Sequence, residues 1–289
     1  MDVILAIAIG FIAPSTVPAE SSDSLASVRR FCEISTIALP VDASDVTVHP
    51  PTRDTDPVDV RAKGVGRFWL DSDTAPVTNF SSYFSQRLEK SRPSREDRGT
   101  EPAFASNKEA TSYLTTLARK LGVPSNWHID PIEVLPDEYD EFDGLIRAGR
   151  YYLRFRKPTN HVLFNAVNNA TISVDYITGQ ITSYALNDRI VVVESASRVS
   201  RELAVGQATA AYNASKKRGE TILKSVDLGY YVPKQILWNT NRSHPLPAQL
   251  VWRVGFESPH ASLESPHVEP DYTFVSATSG QVIEVNRCR

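Results

Sequence analysis

The fold is decided by two stretches of nearly identical plan, Ile172-Ser-Val-Asp-Tyr-Ile-Thr-Gly-Gln-Ile-Thr-Ser-Tyr184 and Thr273-Phe-Val-Ser-Ala-Thr-Ser-Gly-Gln-Val-Ile-Glu-Val285. In each, apolar and polar residues alternate through one strand, a Gly-Gln pair marks a turn, and a second alternating strand follows. We predict that Gly179 and Gly280 are structural turn residues, because tight hairpin turns need a residue that accepts a positive φ. The two stretches therefore predict two β-hairpins of one design.

A helix and a strand precede the first hairpin. Ser106-Asn-Lys-Glu109 is a capping box, in which the serine side chain accepts from a backbone N–H and the glutamate reaches back. Apolar residues then fall on one helical face, namely Ala110, Tyr113, Leu114, Leu117 and Leu121. Apolar and polar residues alternate along Tyr151–Arg156, which predicts a strand, and a second strand is predicted at residues 161–165.

The same order precedes the second hairpin. A helix is predicted from about Ser200, and small residues form its inner face, namely Ala204, Ala208 and Ala211, together with Tyr212. Leu250–Phe256 follows as an alternating strand. A helix followed by an antiparallel meander, used twice, predicts an α+β fold of two tandem modules, each a helix packed on a small antiparallel sheet.

We accordingly divide the chain into a signal peptide at residues 1–19, an N-terminal region at 20–104, one module at 105–190 and another at 197–289. The N-terminal region is the least regular. Residues 34–41 and Arg67–Leu70 are strand candidates, and the spacing of Phe80, Tyr83, Phe84 and Leu88 predicts a short helix. Residues 91–102 are polar, charged and bounded by prolines, which is typical of a linker with solvated charges.

Composition narrows the functional classes. The chain has 289 residues, of which 41% are hydrophobic and 22% charged, as in ordinary globular proteins. A net charge of −3 gives no electrostatic footprint for nucleic acid, so we expect no nucleic-acid partner. Residues 3–13 form an apolar run too short to span a bilayer, and Val17-Pro-Ala19 offers a small-residue cleavage site. A secretory signal peptide is favoured over a buried N-terminal element, although Asp2 stands where a basic residue is usual, and no membrane span is expected after its cleavage.

These residues resemble the PepSY family, which includes relatives in the propeptides of secreted metalloproteases. The resemblance rests on the helix openings at Ser106 and Ser200, on the alternating strands, and above all on the two hairpins that end in Gly-Gln. It implies secreted or envelope-located modules, some of which accompany peptidases and hold them inactive, with no shared catalytic residues. No protease domain follows the second hairpin in this sequence, which favours a stand-alone module over a propeptide.

Two cysteines, Cys32 and Cys288, lie near opposite ends of the sequence. In an oxidising compartment they form a possible disulfide, and the alternative is two unrelated thiols.

Candidate metal ligands occur in one loop, where Glu257-Ser-Pro-His260 is followed by Glu264-Ser-Pro-His267. Two imidazoles and two carboxylates suit zinc or copper, but the neighbouring prolines favour an extended, solvated loop. Residues 137–143 form an acidic run that we interpret as a solvated turn in preference to a calcium loop. Four tryptophans, Trp69, Trp127, Trp238 and Trp252, suit a stacking platform, although Trp252 has the strand phase of a core residue.

The sequence contains no zinc-protease helix, nucleophile elbow or phosphate loop, so we expect no catalytic residues and no cofactor. The leading hypothesis is a secreted, non-enzymatic binding module that binds or regulates an extracellular peptidase. The alternative is an envelope structural or adaptor protein without a protease connection, and an enzyme of unrecognised type is the weaker third reading.

Overall fold

The computed structural model describes residues 17–18, 23–38, 45–53, 56–72, 74–158, 162–164, 167–193, 198–215, 221–240, 244–257 and 271–286. Within these ranges the helices are α1 (Asp23–Ile34), α2 (Phe84–Ser91), α3 (Arg95–Arg98), α4 (Asn107–Lys120), α5 (Arg201–Ser215) and α6 (Lys234–Asn239). The first strands are β1 (Val17–Pro18), β2 (Val46–His49), β3 (Val58–Ala62), β4 (Gly66–Leu70), β5 (Val77–Ser82), β6 (His128–Ile129), β7 (Glu133–Leu135), β8 (Glu138–Tyr139) and β9 (Leu145–Arg147). They are followed by β10 (Arg150–Arg156), β11 (Asn168–Asp175), β12 (Ile181–Asp188), β13 (Val191–Val193), β14 (Leu223–Tyr231), β15 (Leu246–Phe256), β16 (Asp271–Ser276) and β17 (Val282–Asn286).

The fold is α+β, and a helix followed by an antiparallel meander occurs three times along the described chain. In the first unit, α1 lies on β2–β5. In the second, α4 lies on a sheet in which β6 and β7 pair with β10, and β11 and β12 follow. In the third, α5 lies on β15, β16 and β17, and β14 pairs with the other side of β15.

The three helices bury the same positions, which is why each can lie flat on its sheet. A small or aliphatic residue with almost no exposed surface stands near the start of each helix, and a second stands one turn later at i+4. These pairs are Ser24 and Val28 in α1, Ala110 and Leu114 in α4, and Ala204 and Ala208 in α5. The third position of the stripe, at i+8, is Cys32, Ala118 and Tyr212 respectively.

The first two units share one sheet, because their last strands pair with each other. β5 and β12 run antiparallel, with Phe80 opposite Tyr184. This joint merges the two meanders into a ten-stranded sheet that reads β1-β2-β3-β4-β5-β12-β11-β10-β6, with β7 also on β10. A single hydrophobic core fills the helix side, and the ring of Phe31 from α1 packs 5.7 Å from that of Tyr184.

The third unit has a separate five-stranded sheet, in which β13 pairs in parallel with the first residues of β15. Its helix side packs around Tyr212 and Phe256, whose rings stack at 4.5 Å. Its opposite face packs around Tyr231 and Phe274, whose rings stack at 4.1 Å.

Several element predictions are confirmed. Both hairpins form, as β11–β12 and β16–β17, and the capping box forms with Ser106 Oγ accepting from Glu109 N at 3.2 Å. The strand at Arg67–Leu70 is β4, and the strand at Leu250–Phe256 lies within β15.

Others are wrong. Of the strand predicted at residues 34–41, Ile34 instead ends α1 and residues 35–38 make no strand pairing, because the buried spacing of Val28, Phe31 and Cys32 is helical. Residues 39–41 lie outside the described residues. Phe80 belongs to β5 and faces the core, so the short helix begins only at Phe84. Of the strand predicted at residues 161–165, the described part makes a single bridge, between Leu163 and Tyr230.

Candidate functional surfaces

The two hairpin turns are built by one backbone pattern with different side chains. Gly179 and Gly280 have φ of 67° and 77°, in the left-handed region that glycine tolerates best. Asp175 Oδ1 accepts from the backbone N–H groups of Ile177 at 3.2 Å and Thr178 at 2.8 Å. In the third unit, the hydroxyl of Ser276 accepts from the two corresponding backbone N–H groups. Aspartate and serine therefore perform the same local task, but only aspartate brings a charge.

That charge is neutralised by an arginine from the predicted linker. Arg98 bonds Asp175, and its Nε lies 3.0 Å from Asp137 Oδ2. All three side chains are nearly excluded from water, with exposed fractions of 3% for Arg98, 5% for Asp137 and 0% for Asp175. Burial alone would lower the pKa of Arg98, but the two carboxylates outweigh it and raise that pKa above its ordinary value. The expectation that all charges of residues 91–102 are solvated is therefore wrong for Arg98.

The acidic run is compensated in the same manner. Asp140 pairs with Arg92 and also accepts from the backbone N–H of Gly144 at 2.8 Å, while Asp143 lies 2.9 Å from Arg95. These two carboxylates each face a guanidinium, which opposes the concentration of negative charge that a calcium site needs. The geometry favours the interpretation as an acidic turn.

The candidate metal loop lies almost wholly outside the described residues. His260, Glu264 and His267 are all outside the described residues. Glu257 is described, and its carboxylate forms an ion pair with Lys224 at 3.1 Å. Within the part of the chain that the structure describes, no three His, Cys, Asp or Glu side chains come together as a metal site. The zinc or copper site stays an untested alternative.

Cys32 is buried in the core of the first unit. Burial, helped by the neighbouring Glu33 carboxylate, raises the pKa of this thiol to about 12. Cys288 lies outside the described residues, so the disulfide between the two stays a prediction.

The tryptophans do not form a common platform among the described side chains. Trp127 is buried in the core of the first two units, whereas Trp252 packs in the third unit and donates from Nε1 to the carbonyl of Val199 at 3.0 Å. Trp69 lies under the guanidinium of Arg67, 4.8 Å from it, and the side chain of Trp238 is outside the described set.

A cavity of about 110 Å³ lies beside the joint between β5 and β12, and it is lined by Ile37, Gly64, Phe80 and Gln180. Small-molecule sites usually enclose about 300–1,000 Å³. This cavity is thus too small to support a proposal for a small-molecule ligand.

The outer edge of β14 exposes several apolar side chains in the third unit. The main contacts of α5 are with β15, β16 and β17. Ile222, Leu223 and Leu228 are 44%, 45% and 41% exposed. Among the described residues, the outer side of Leu223–Leu228 pairs with no strand, whereas residues 162–164 lie against Gly229 and Tyr230. Unpaired backbone groups beside apolar side chains form a template for an extended peptide.

Sequence reasoning missed both Arg98 and β14. The signal for β14 was present but weak, because Val226, Leu228 and Tyr230 alternate while Gly229 interrupts the strand pattern. Arg98 gave no local signal, since its partners lie 39 and 77 residues further along the chain.

The chain resembles the C-terminal domain of YpeB from Bacillus megaterium. The likeness has a TM-score of 0.41 and 8% sequence identity, and it covers 91% of this chain and 96% of that one. At this TM-score it carries no argument about function. No family model matches the sequence, and no curated protein matches it either.

None of the helices that the structure describes is long and apolar enough to cross a membrane.

Proposed function

We propose that this protein is a secreted, non-enzymatic binding protein that receives an extended segment of a protein partner on the outer edge of β14. The observation that supports the proposal most is the exposure of Leu223 and Leu228 along an edge that pairs with no other described strand. Edge addition supplies affinity through main-chain hydrogen bonds, and alternate side chains of the added strand supply specificity.

The chemistry of the edge indicates what it binds. Leu228 stands opposite Trp252 on the helix side of β14, and Val226 on the same side packs against the core beneath α5. On the other face, Asp227 is held by Arg253 at 2.9 Å. A bound segment would thus meet an apolar row on one face and a neutralised ion pair on the other, which fits an extended, uncharged, apolar peptide.

We further propose that the partner is an extracellular peptidase, an idea that rests on the PepSY resemblance of the sequence. A stand-alone protein of this kind would inhibit by occupying a segment of the enzyme and would not itself be consumed. The secreted location is part of the same proposal.

The test measures the residual activity of thermolysin-like and serine peptidases after incubation with residues 20–289. We expect dose-dependent inhibition of one peptidase class, with the binding protein intact on a gel afterwards. A Leu228→Lys variant should inhibit about ten-fold less well, since it places a charge in the apolar row. Phe142→Lys is the matched control, because it makes the same change at another exposed apolar residue, in the acidic turn.

Two outcomes would overturn parts of the proposal. If none of the peptidases is inhibited, the proposal of a peptidase partner is overturned and an adaptor function is favoured. Inhibition that Leu228→Lys and Phe142→Lys leave equally strong would place the binding surface elsewhere than β14.

A further inference from the structure

The third unit ends in an edge strand whose counterparts in the other two units pair with each other. β17 is the last strand of its meander, as β5 and β12 are of theirs. β5 and β12 are joined edge to edge inside the chain, whereas the outer side of β17 meets no strand within the described ranges.

All three strands carry the same irregularity at the same place. In each hairpin the first pair is followed by one skipped residue, namely Thr78 in β5, Thr182 in β12 and Ile283 in β17. Such a bulge fixes the register of a strand and its twist. Two residues beyond the bulge, the three units place Phe80, Tyr184 and Val285 in equivalent positions.

The joint between β5 and β12 has local two-fold symmetry about that position. Phe80 lies opposite Tyr184, Asn79 lies opposite Ala185, and Ser81 lies opposite Ser183. Equivalent residues therefore meet at the centre, as they would across a true two-fold axis.

We propose that β17 pairs antiparallel with β17 of a second copy of this chain, with Val285 opposite Val285 at the two-fold axis. This arrangement repeats between molecules the joint that the first two units make within one. It would extend the five-stranded sheet of each copy into one continuous sheet across the dimer.

The residues beside Val285 suit this register. Glu284 of each copy comes to lie opposite Asn286 of the other, so a carboxylate acceptor faces an amide donor twice. An axis at Glu284 would instead set two carboxylates opposite each other, which is unfavourable. Glu284 is itself held in place, since it accepts from the hydroxyl of Tyr231 and lies 2.9 Å from Lys234 Nζ.

The dimer is expected to be weaker than the internal joint. In the internal joint, Phe31 packs against both Phe80 and Tyr184, at 5.2 and 5.7 Å between ring centres. The third unit has the small Ala211 on its helix and Val285 on its strand at the corresponding positions. Less apolar surface is buried, so the association should be reversible and visible as a concentration dependence.

The experiment is sedimentation velocity over a concentration series of residues 20–289, with charge changes at position 286. Asn286→Glu places a second carboxylate opposite Glu284 at both ends of the joint and should raise the dimer dissociation constant roughly ten-fold. Asn286→Lys places an ammonium there instead and should dimerise at least as tightly as the wild type. Leu228→Lys, on the other edge of the sheet, should leave the dissociation constant unchanged.

Thermal unfolding by circular dichroism checks that each variant is folded. A wild-type protein that stays monomeric at the highest soluble concentration would overturn the proposal. A dimer that Asn286→Glu and Asn286→Lys affect equally would also overturn it, because the pairing of residues 284 and 286 would then be absent.

Discussion

Replacing Arg98 with methionine tests how the linker is bound to the β11–β12 hairpin. Methionine keeps most of the length and apolar volume of the side chain but removes the guanidinium. Asp137 and Asp175 then remain in a site where their exposed fractions are 5% and 0%, without the cation that compensates them. Removing one partner of a buried ion pair typically costs about 3–5 kcal/mol, because the remaining charge is neither paired nor hydrated.

The structure indicates a value within that range. Asp175 keeps its hydrogen bonds from Thr178 and Ile177, and Asp137 keeps a bond from the backbone N–H of Gly149, so neither carboxylate loses every partner. We therefore expect a loss of about 3 kcal/mol in the free energy of unfolding.

Urea unfolding followed by tryptophan fluorescence measures the effect. Arg95→Met is the matched control, because Arg95 comes from the same segment and pairs with Asp143 while 62% of its side chain is exposed. Exposed pairs of this kind contribute only about 0–1 kcal/mol. Combining Arg98→Met with Asp175→Asn should recover part of the loss, since asparagine can still accept from the turn. If Arg98→Met costs no more than Arg95→Met, the buried network does not stabilise the fold as argued.

Three further predictions concern single residues. Burial would raise the pKa of Asp59, but hydrogen bonds from Arg67 and Arg61 outweigh it and lower that pKa. The stability that Asp59 contributes should therefore be complete above about pH 5 and should be lost as the pH falls through the lowered pKa. The difference in unfolding free energy between wild type and Asp59→Asn, measured from neutral to acid pH, should shrink accordingly, and a constant difference would contradict the assignment. In a Cys288→Ser background, Cys32 should react with a thiol reagent at pH 8 about a thousand-fold more slowly in the native protein than in urea, because burial raises its pKa to about 12. Equal reaction rates in the two conditions would show that the thiol is accessible in the native protein. Gly179→Ala should lower the free energy of unfolding by about 1–2 kcal/mol, because φ is 67° there and the added methyl would lie 3.3 Å from the Cβ of Ala103. Gly206→Ala, in α5 with open space around it, should raise the free energy of unfolding by about 0.5–1 kcal/mol. Thermal unfolding of both variants measures the contrast, and equal changes in melting temperature would contradict it.

The sequence was most informative where local chemistry determines local structure. The capping box at Ser106 and the Gly-Gln hairpins are decided within a few residues, and the structure contains all of them. The first helix-and-meander unit was missed because its equivalent hairpin, between Leu70 and Val77, has no Gly-Gln turn. Its helix also contains the adjacent charged residues Arg29 and Arg30, which make the apolar stripe harder to recognise.

The surfaces were harder to predict because they depend on what is absent nearby in space. The residues of Leu223–Tyr231 do not show that the outer side of the strand start will lack a partner strand. Nothing within Val282–Asn286 distinguishes it from the paired strand at Ile181–Asp188. Those differences arise from the placement of whole elements. Long-range ion pairs such as that of Arg98 with Asp175 are hidden for the same reason.

The joint between β5 and β12 also has a consequence during synthesis on the ribosome. The strand edge at Ser81 emerges about 100 residues before its partner at Ser183, a delay on the order of 5–20 s at about 5–20 residues per second. Throughout that interval the nascent first unit presents the bare side of β5, including Phe80, to other chains. Slower translation would lengthen this exposure, so the yield of folded protein should depend on elongation speed and on chaperones that shield the waiting edge.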